Sequence, residues 1–261
     1  MPITGLESAR LKLKRAHTHL IDLNEQVRAF RRDDPYDFSP EVGRPDPKTR
    51  EVPFRLVVKK ATDVPEDWAT VVGDILTNLR AALDHSVYEH IHRVRPGLRY
   101  DEVQFPIVDD RAGMANKRKR FSRPVYIVVN DAQPYRAAQP QWHPLAILRD
   151  LVNADKHRSV LVTNGATLKF KVDTAPVLEV GHWETNVGAQ LEVGTVVSSG
   201  SFKLPVLAIP KIEIRPEVEY SEAIVIPRTG GQVKNLTDVM ADLHEKVRQV
   251  LNDLEAAGVD N

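Results

Sequence analysis

The stretch Val72-Gly73-Asp74-Ile75-Leu76-Thr77-Asn78-Leu79-Arg80-Ala81-Ala82-Leu83-Asp84-His85-Ser86-Val87 decides how this chain folds. Val72, Ile75, Leu76, Leu79, Leu83 and Val87 recur at steps of three and four, the period of a helix with one apolar stripe. At about 100° per residue, Asn78, Asp84, His85 and Tyr88 fall on the opposite face, with Arg80 at its border. The pattern predicts a helix from about Glu66 to Val94, opened by Asp63 or Pro65 and ended by Pro96-Gly97. Such a stripe needs helical partners to bury it.

Three further stretches supply them. Leu6, Ala9, Leu13, Ala16, Leu20, Leu23, Val27 and Phe30 form a seam on an N-terminal helix that ends near Arg32. Thr4 and Glu7 read as its capping box. Leu145, Leu148, Leu151 and Val152 mark a helix from about Pro144 to Lys156. Asn235 caps a last helix running to about Ala257, with Leu236, Val239, Leu243, Val247, Val250 and Leu254 as its stripe.

The intervening sequence is different. Residues 33–51 carry four prolines and many charges, and read as a long irregular connection. Val52 to Lys60 reads as a strand. Phe105-Pro106-Ile107 is a short buried segment, residues 109–120 a surface helix, Val125–Val129 either strand or helix, and Gln133-Pro134-Tyr135 a break. From Ser159 to about Pro227, short apolar runs punctuated by Gly165, Gly181, Gly194 and Gly200 point to an antiparallel sheet. The expected fold is α+β: a bundle of about four core helices carrying an inserted antiparallel β-sheet. Residues 1–158 form the bundle core with its polar clusters, 159–231 the sheet insertion, and 232–261 the helix that completes the bundle. The Val52–Lys60 strand is placed at the sheet edge.

Composition narrows the function classes. The 261 residues contain no cysteine, which excludes disulfides, thiolate metal sites and a cysteine nucleophile. No apolar run reaches membrane-spanning length and no leader pattern is visible, so the expectation is a cytoplasmic protein with no membrane partner. Net charge is zero, yet residues 1–158 carry +5 and residues 159–261 carry −5. The run Lys117-Arg118-Lys119-Arg120 lies in the basic half and reads as a solvated loop or helix end. No phosphate-binding glycine loop and no Gly-x-Ser-x-Gly elbow occur.

Two polar clusters remain as candidate sites. The first holds Asn78, Arg80, Asp84, His85 and Tyr88; the second is Asn153-Ala154-Asp155-Lys156-His157-Arg158, at the end of the third helix. The spacing Arg80-x4-His85 resembles the signature of the HEPN superfamily, helical bundles that include many metal-independent ribonucleases of toxin and phage-defence systems. The resemblance implies Arg80 as phosphate ligand, His85 as acid/base and Asp84 as the group that orients one of them. It implies RNA as the partner and requires no cofactor. Arg80 and His85 lie about 140° apart on a helix, so they converge through the long arginine or across a homodimer formed by the N-terminal helix or the helix-two face. The order Leu-Arg-Ala-Ala-Leu-Asp-His, Phe-Pro-Ile, Gln-Pro-Tyr, then Leu-x-x-Leu-Val-Asn-Ala-Asp-Lys-His-Arg also resembles a family of uncharacterised bacterial and phage-associated proteins. That second resemblance spans about residues 75–160 and implies one shared core without an activity.

Two other readings stand beside the ribonuclease. In one, the protein is a non-enzymatic binding module: Arg80 and Asp84 form an ion pair along the helix, His85 is a contact to a neighbouring helix, and Lys156, His157 and Arg158 answer the helix dipole. In the other, His85, His157, Asp84 and Asp155 gather around a divalent metal in a hydrolase. His17, His19, His90 and His92 read as solvated or at an exposed helix end.

Overall fold

A computed structural model of the chain describes residues 5–99, 102–157, 162–175, 179–188, 190–204 and 213–260. The fold is α+β. In chain order the elements are α1 (Gly5–Arg32), β1 (Tyr36–Val42), β2 (Glu51–Ala61), α2 (Asp67–Val94), α3 (Arg111–Ala115), α4 (Arg123–Asp131), α5 (Pro144–His157), β3 (Val162–Ala175), β4 (Glu179–Thr185), β5 (Val196–Lys203), β6 (Glu213–Val225), β7 (Val233–Asn235) and α6 (Leu236–Ala256). No helix among the described residues is long and apolar enough to cross a membrane.

The chain divides into two compact units. The helical unit comprises Met1–Glu25, Glu66–Leu161 and Val225–Asn261. Here α2 packs on α5 and α6, α5 on α6, and α4 on α6. The α2 stripe is fully buried from Val72 to Val87, and Leu6, Ala9, Leu13, Ala16, Leu20 and Leu23 of α1 are covered within the chain itself. The α1 capping box rests on Thr4, which lies outside the described residues. Asn235 does cap α6: its Oδ1 accepts the Asp238 N–H at 3.1 Å. Residues 123–131, ambiguous by pattern, are helical. Ser122 precedes them in extended geometry, and Pro124 follows in the first turn, where a missing N–H costs nothing.

His90 is not at an exposed end. It is 3% exposed, its Nδ1 lies 3.1 Å from the Val259 carbonyl, and its Nε2 accepts the Ser122 N–H. The turn of α2 that carries His90 is covered by Val259, which pattern alone did not reveal. Burial holds the His90 pKa below its ordinary value.

The sheet unit comprises Gln26–Pro65 and Val162–Ile224. Its main sheet runs β1-β2-β5-β4 with antiparallel neighbours, and β3 pairs antiparallel with β6. The proline-rich connection therefore contains a strand. Pro40 is tolerated because β1 is an edge strand, where a missing donor breaks no ladder. Conversely β2, expected at the edge, lies inside the sheet between β1 and β5. Glycines taken as strand ends partly lie within strands. A side chain at Gly200 would stand 2.3 Å from the His182 carbonyl oxygen, so only glycine permits that cross-strand approach. Two apolar clusters hold the unit, one around Phe54 and Phe202, the other around Tyr36, Leu56 and Val197. Glu222, 1% exposed, is gripped by Arg31 through Nε and Nη2.

Candidate functional site

The site begins with one helical turn. Arg80 and Asp84 stand four apart on α2, and the guanidinium binds the carboxylate with two parallel bonds, Nε to Oδ2 at 3.1 Å and Nη2 to Oδ1 at 2.8 Å. The same two side chains reach out to Phe105. Arg80 Nη2 donates to its carbonyl at 2.9 Å, and Asp84 Oδ1 accepts its N–H at 2.9 Å. The side chains are only 17% and 26% exposed. Burial holds the Asp84 carboxyl above its ordinary value, and Arg80 and the Phe105 N–H offset only part of that rise. Each of these neighbours is a donor, which selects the ionised form.

Phe105-Pro106-Ile107-Val108 is a strap held from both sides. On the far side from α2, the buried amide of Gln133 donates to the Pro106 carbonyl at 2.9 Å and accepts the Val108 N–H at 3.0 Å. Its Nε2 also donates to the Val129 carbonyl, which anchors the amide to α4. Three of the four segments in the second family resemblance, those of Arg80, Phe105 and Gln133, thus touch directly.

The fourth segment closes the other wall. The strap, Arg80 of α2, and Arg149, Val152, Asn153 and Lys156 of α5 border a cleft of about 430 Å³. Positions 149, 152, 153 and 156 share one face of α5. Lys117, Arg120, Glu102 and Gln104 also line the cleft. Arg120 is tied to the Glu102 carbonyl through Nη1. The lining carries five cations and one carboxylate, Glu102, beside the strap residues and Val152.

Two of the cations are fixed and retain unused donors. Arg80 spends Nε and Nη2 on Asp84 and Phe105, which leaves Nη1. Arg149, 17% exposed, is held by Asp150 at 2.8 Å and Asp109 at 2.7 Å, and Arg228 braces Asp109 at 3.2 Å. The side chains of Lys117 and Lys156 have no hydrogen-bond or ion-pair partner among the described residues. Anchored arginines with spare N–H groups beside free lysines have the chemistry to hold an anion.

The candidates read from sequence divide accordingly. Arg80, Asn153 and Lys156 line the cleft, and Asp84 stands behind Arg80. His85 does not line it; its Nδ1 lies 2.8 Å from Ser8 Oγ of α1. Asn78 donates to the Asp74 carbonyl one turn back, and the Tyr88 ring meets His92 edge-on. Asp155 lies against Gly73, where an added Cβ would sit 2.9 Å from Oδ1. Burial, then Asp74, raises its pKa. Gly73 and Asp84 are eleven residues apart, about 16 Å along the helix. Asp155 and Asp84 therefore do not share a site. The His157 side chain and all of Arg158 lie outside the described residues. No group of three or more metal-ligating side chains occurs among the described residues.

Four contributors escaped the sequence reading: Lys117, Arg120, Arg149 and Gln133. The sequence pattern places Lys117 and Arg120 in a solvated run. Their three-residue spacing, which aligns side chains on a 3-10 turn such as Arg118–Arg120, was the available signal. Arg149 could have been found from its four-residue step to Asn153 on α5.

Compared with family models, curated proteins and solved structures, the chain matches none.

Proposed function

We propose that the helical unit is a binding module for a phosphate-bearing ligand of the RNA kind, held in the cleft between the strap and α5. One observation carries this reading: five cationic side chains and a single carboxylate line a concavity of small-molecule size, and two of the cations are arginines with N–H groups to spare. Phosphate oxygens accept from such donors in bidentate fashion. The direct test is retention of a 5′-phosphorylated RNA by purified protein as salt is raised. Wild type should bind, with affinity falling steeply with salt, and Lys117→Ala/Lys156→Ala should bind weakly with a shallower slope. Equal binding by both proteins, or none by wild type, would remove the proposal.

A metal-independent ribonuclease is the second reading. It is favoured by the place of Arg80, the phosphate ligand implied by the HEPN resemblance, on the cleft wall with one guanidinium nitrogen unspent. His85 points to Ser8 in this chain, so the acid/base would have to arrive from another protomer. Cleavage of RNA in EDTA, lost in folded Arg80→Ala and His85→Ala, would establish it. Binding without cleavage would leave the module reading alone.

A further inference from the structure

The strap has one unspent backbone pair. In an extended chain a residue's own N–H and C=O face one side and those of the next residue face the other. The contacts follow that alternation: both groups of Phe105 turn to Arg80 and Asp84 of α2, whereas the Pro106 carbonyl and the Val108 N–H turn to Gln133. The next pair on the α2 side belongs to Ile107. Its N–H and C=O have no partner among the described residues, and Ile107 lines the cleft.

Resting on the phosphate-binding reading, we propose that the cleft recognises a nucleoside phosphate, free or at an RNA end, by seating the base edge on the Ile107 N–H and C=O. An adjacent donor and acceptor from one backbone residue matches the adjacent acceptor and donor that every nucleobase presents on its pairing edge. An extended peptide would need a longer ladder, and Phe105, the neighbour two residues away on that edge, is already spent on α2. Half-buried Ile107 and Val108 are the strap residues that offer the base an apolar surface. Lys117, Arg120, Lys156 and the remaining Arg80 nitrogen take the phosphates. Because the pair is backbone, it recognises a base as such.

The test is calorimetric titration with pyrophosphate, ADP, UDP and ribose 5-phosphate. ADP and UDP should bind about tenfold or more tighter than pyrophosphate, the gain expected from two added hydrogen bonds and base burial. Ribose 5-phosphate should gain nothing. Ile107→Pro removes the free N–H and suits an extended chain; it should bring ADP down to the affinity of pyrophosphate and leave pyrophosphate binding intact. Ile107→Val, which keeps the N–H, should retain the ADP preference. If Ile107→Pro does not fold, the wild-type ranking decides by itself. Pyrophosphate bound as tightly as ADP would overturn base recognition and leave the phosphate reading standing. No binding of any anion would overturn both. A 5′-phosphorylated trinucleotide that binds tighter than ADP assigns the ligand to an RNA end, and equal affinity assigns it to free nucleotide.

Discussion

Each unit of the molecule contains an arginine clamped on a largely buried carboxylate, and the pairs Arg31–Glu222 and Arg80–Asp84 differ in what surrounds them. In the sheet unit Glu222 is 1% exposed, and Arg31, which grips it, sits among Phe30, Tyr36 and Tyr220. In the helical unit Arg80 uses two nitrogens on Asp84 and the strap, and keeps the third for an open cleft. The same ionic contact thus holds a buried carboxylate within the sheet unit in one place and borders an open cleft in the other. Neither the identity of the residues nor an unspent Nη1 separates the two, since both arginines bond through Nε and Nη2; the neighbouring free lysines and the open concavity beside Arg80 do.

The largest expected effect breaks the closed pair. Arg31→Ala strands a buried carboxylate and should cost about 3–5 kcal/mol in urea unfolding, with pyrophosphate affinity unchanged where the protein remains folded. A loss below about 1 kcal/mol would mean that Glu222 finds water or another donor, and the contrast between the pairs would fail. Asp84→Ala should cost less, about 2 kcal/mol, because Arg80 can turn toward the cleft and its solvent. It should also loosen the strap, detectable as faster hydrogen exchange at the Phe105 amide.

Gln133→Leu keeps the volume of the wall but leaves the Pro106 carbonyl and the Val108 and Val129 groups unanswered. A loss of about 1–2 kcal/mol is expected in the same unfolding assay. An unchanged midpoint would show that the strap does not depend on that amide.

Acid provides a milder probe of the helical unit. Burial depresses the pKa of His90, and burial followed by Lys246 lowers that of His143 to about 4. Below the ordinary histidine pKa, both rings therefore resist protonation in the fold more than in the unfolded chain, and unfolding takes up protons. Their contribution is fully present above the ordinary histidine pKa of about 6.5 and is lost as pH falls from there toward about 4. The Tm should drop across that window, and His143→Gln should flatten part of the drop. A Tm that is level from neutral pH to about 4 in wild type would contradict the burial of both rings.

The helices were legible because each carries a continuous stripe, and α2, α5 and α6 begin and end within a residue or two of the expected positions. The strand in the proline-rich connection was not, because prolines mask an edge strand whose missing donors face no partner. At the site, Arg80 and Lys156 stood out by residue type. What a single sequence could not show is which donors remain unused after folding, since that depends on Phe105 and Gln133 arriving from 25 and 53 residues away from Arg80. The direction of His85 toward Ser8 is likewise a tertiary fact, set by how α1 lies on α2.

The smallest expected effect on stability is also the most direct probe of the cleft: pyrophosphate titrated into wild type and into Lys117→Ala/Lys156→Ala. Neither lysine is bound to anything described, so the double variant should unfold within about 0.5 kcal/mol of wild type. Its affinity for pyrophosphate should fall about thirtyfold or more, the loss expected from two charge-assisted contacts. Equal affinity in the two proteins, or no binding by wild type, would contradict a phosphate receptor at this cleft.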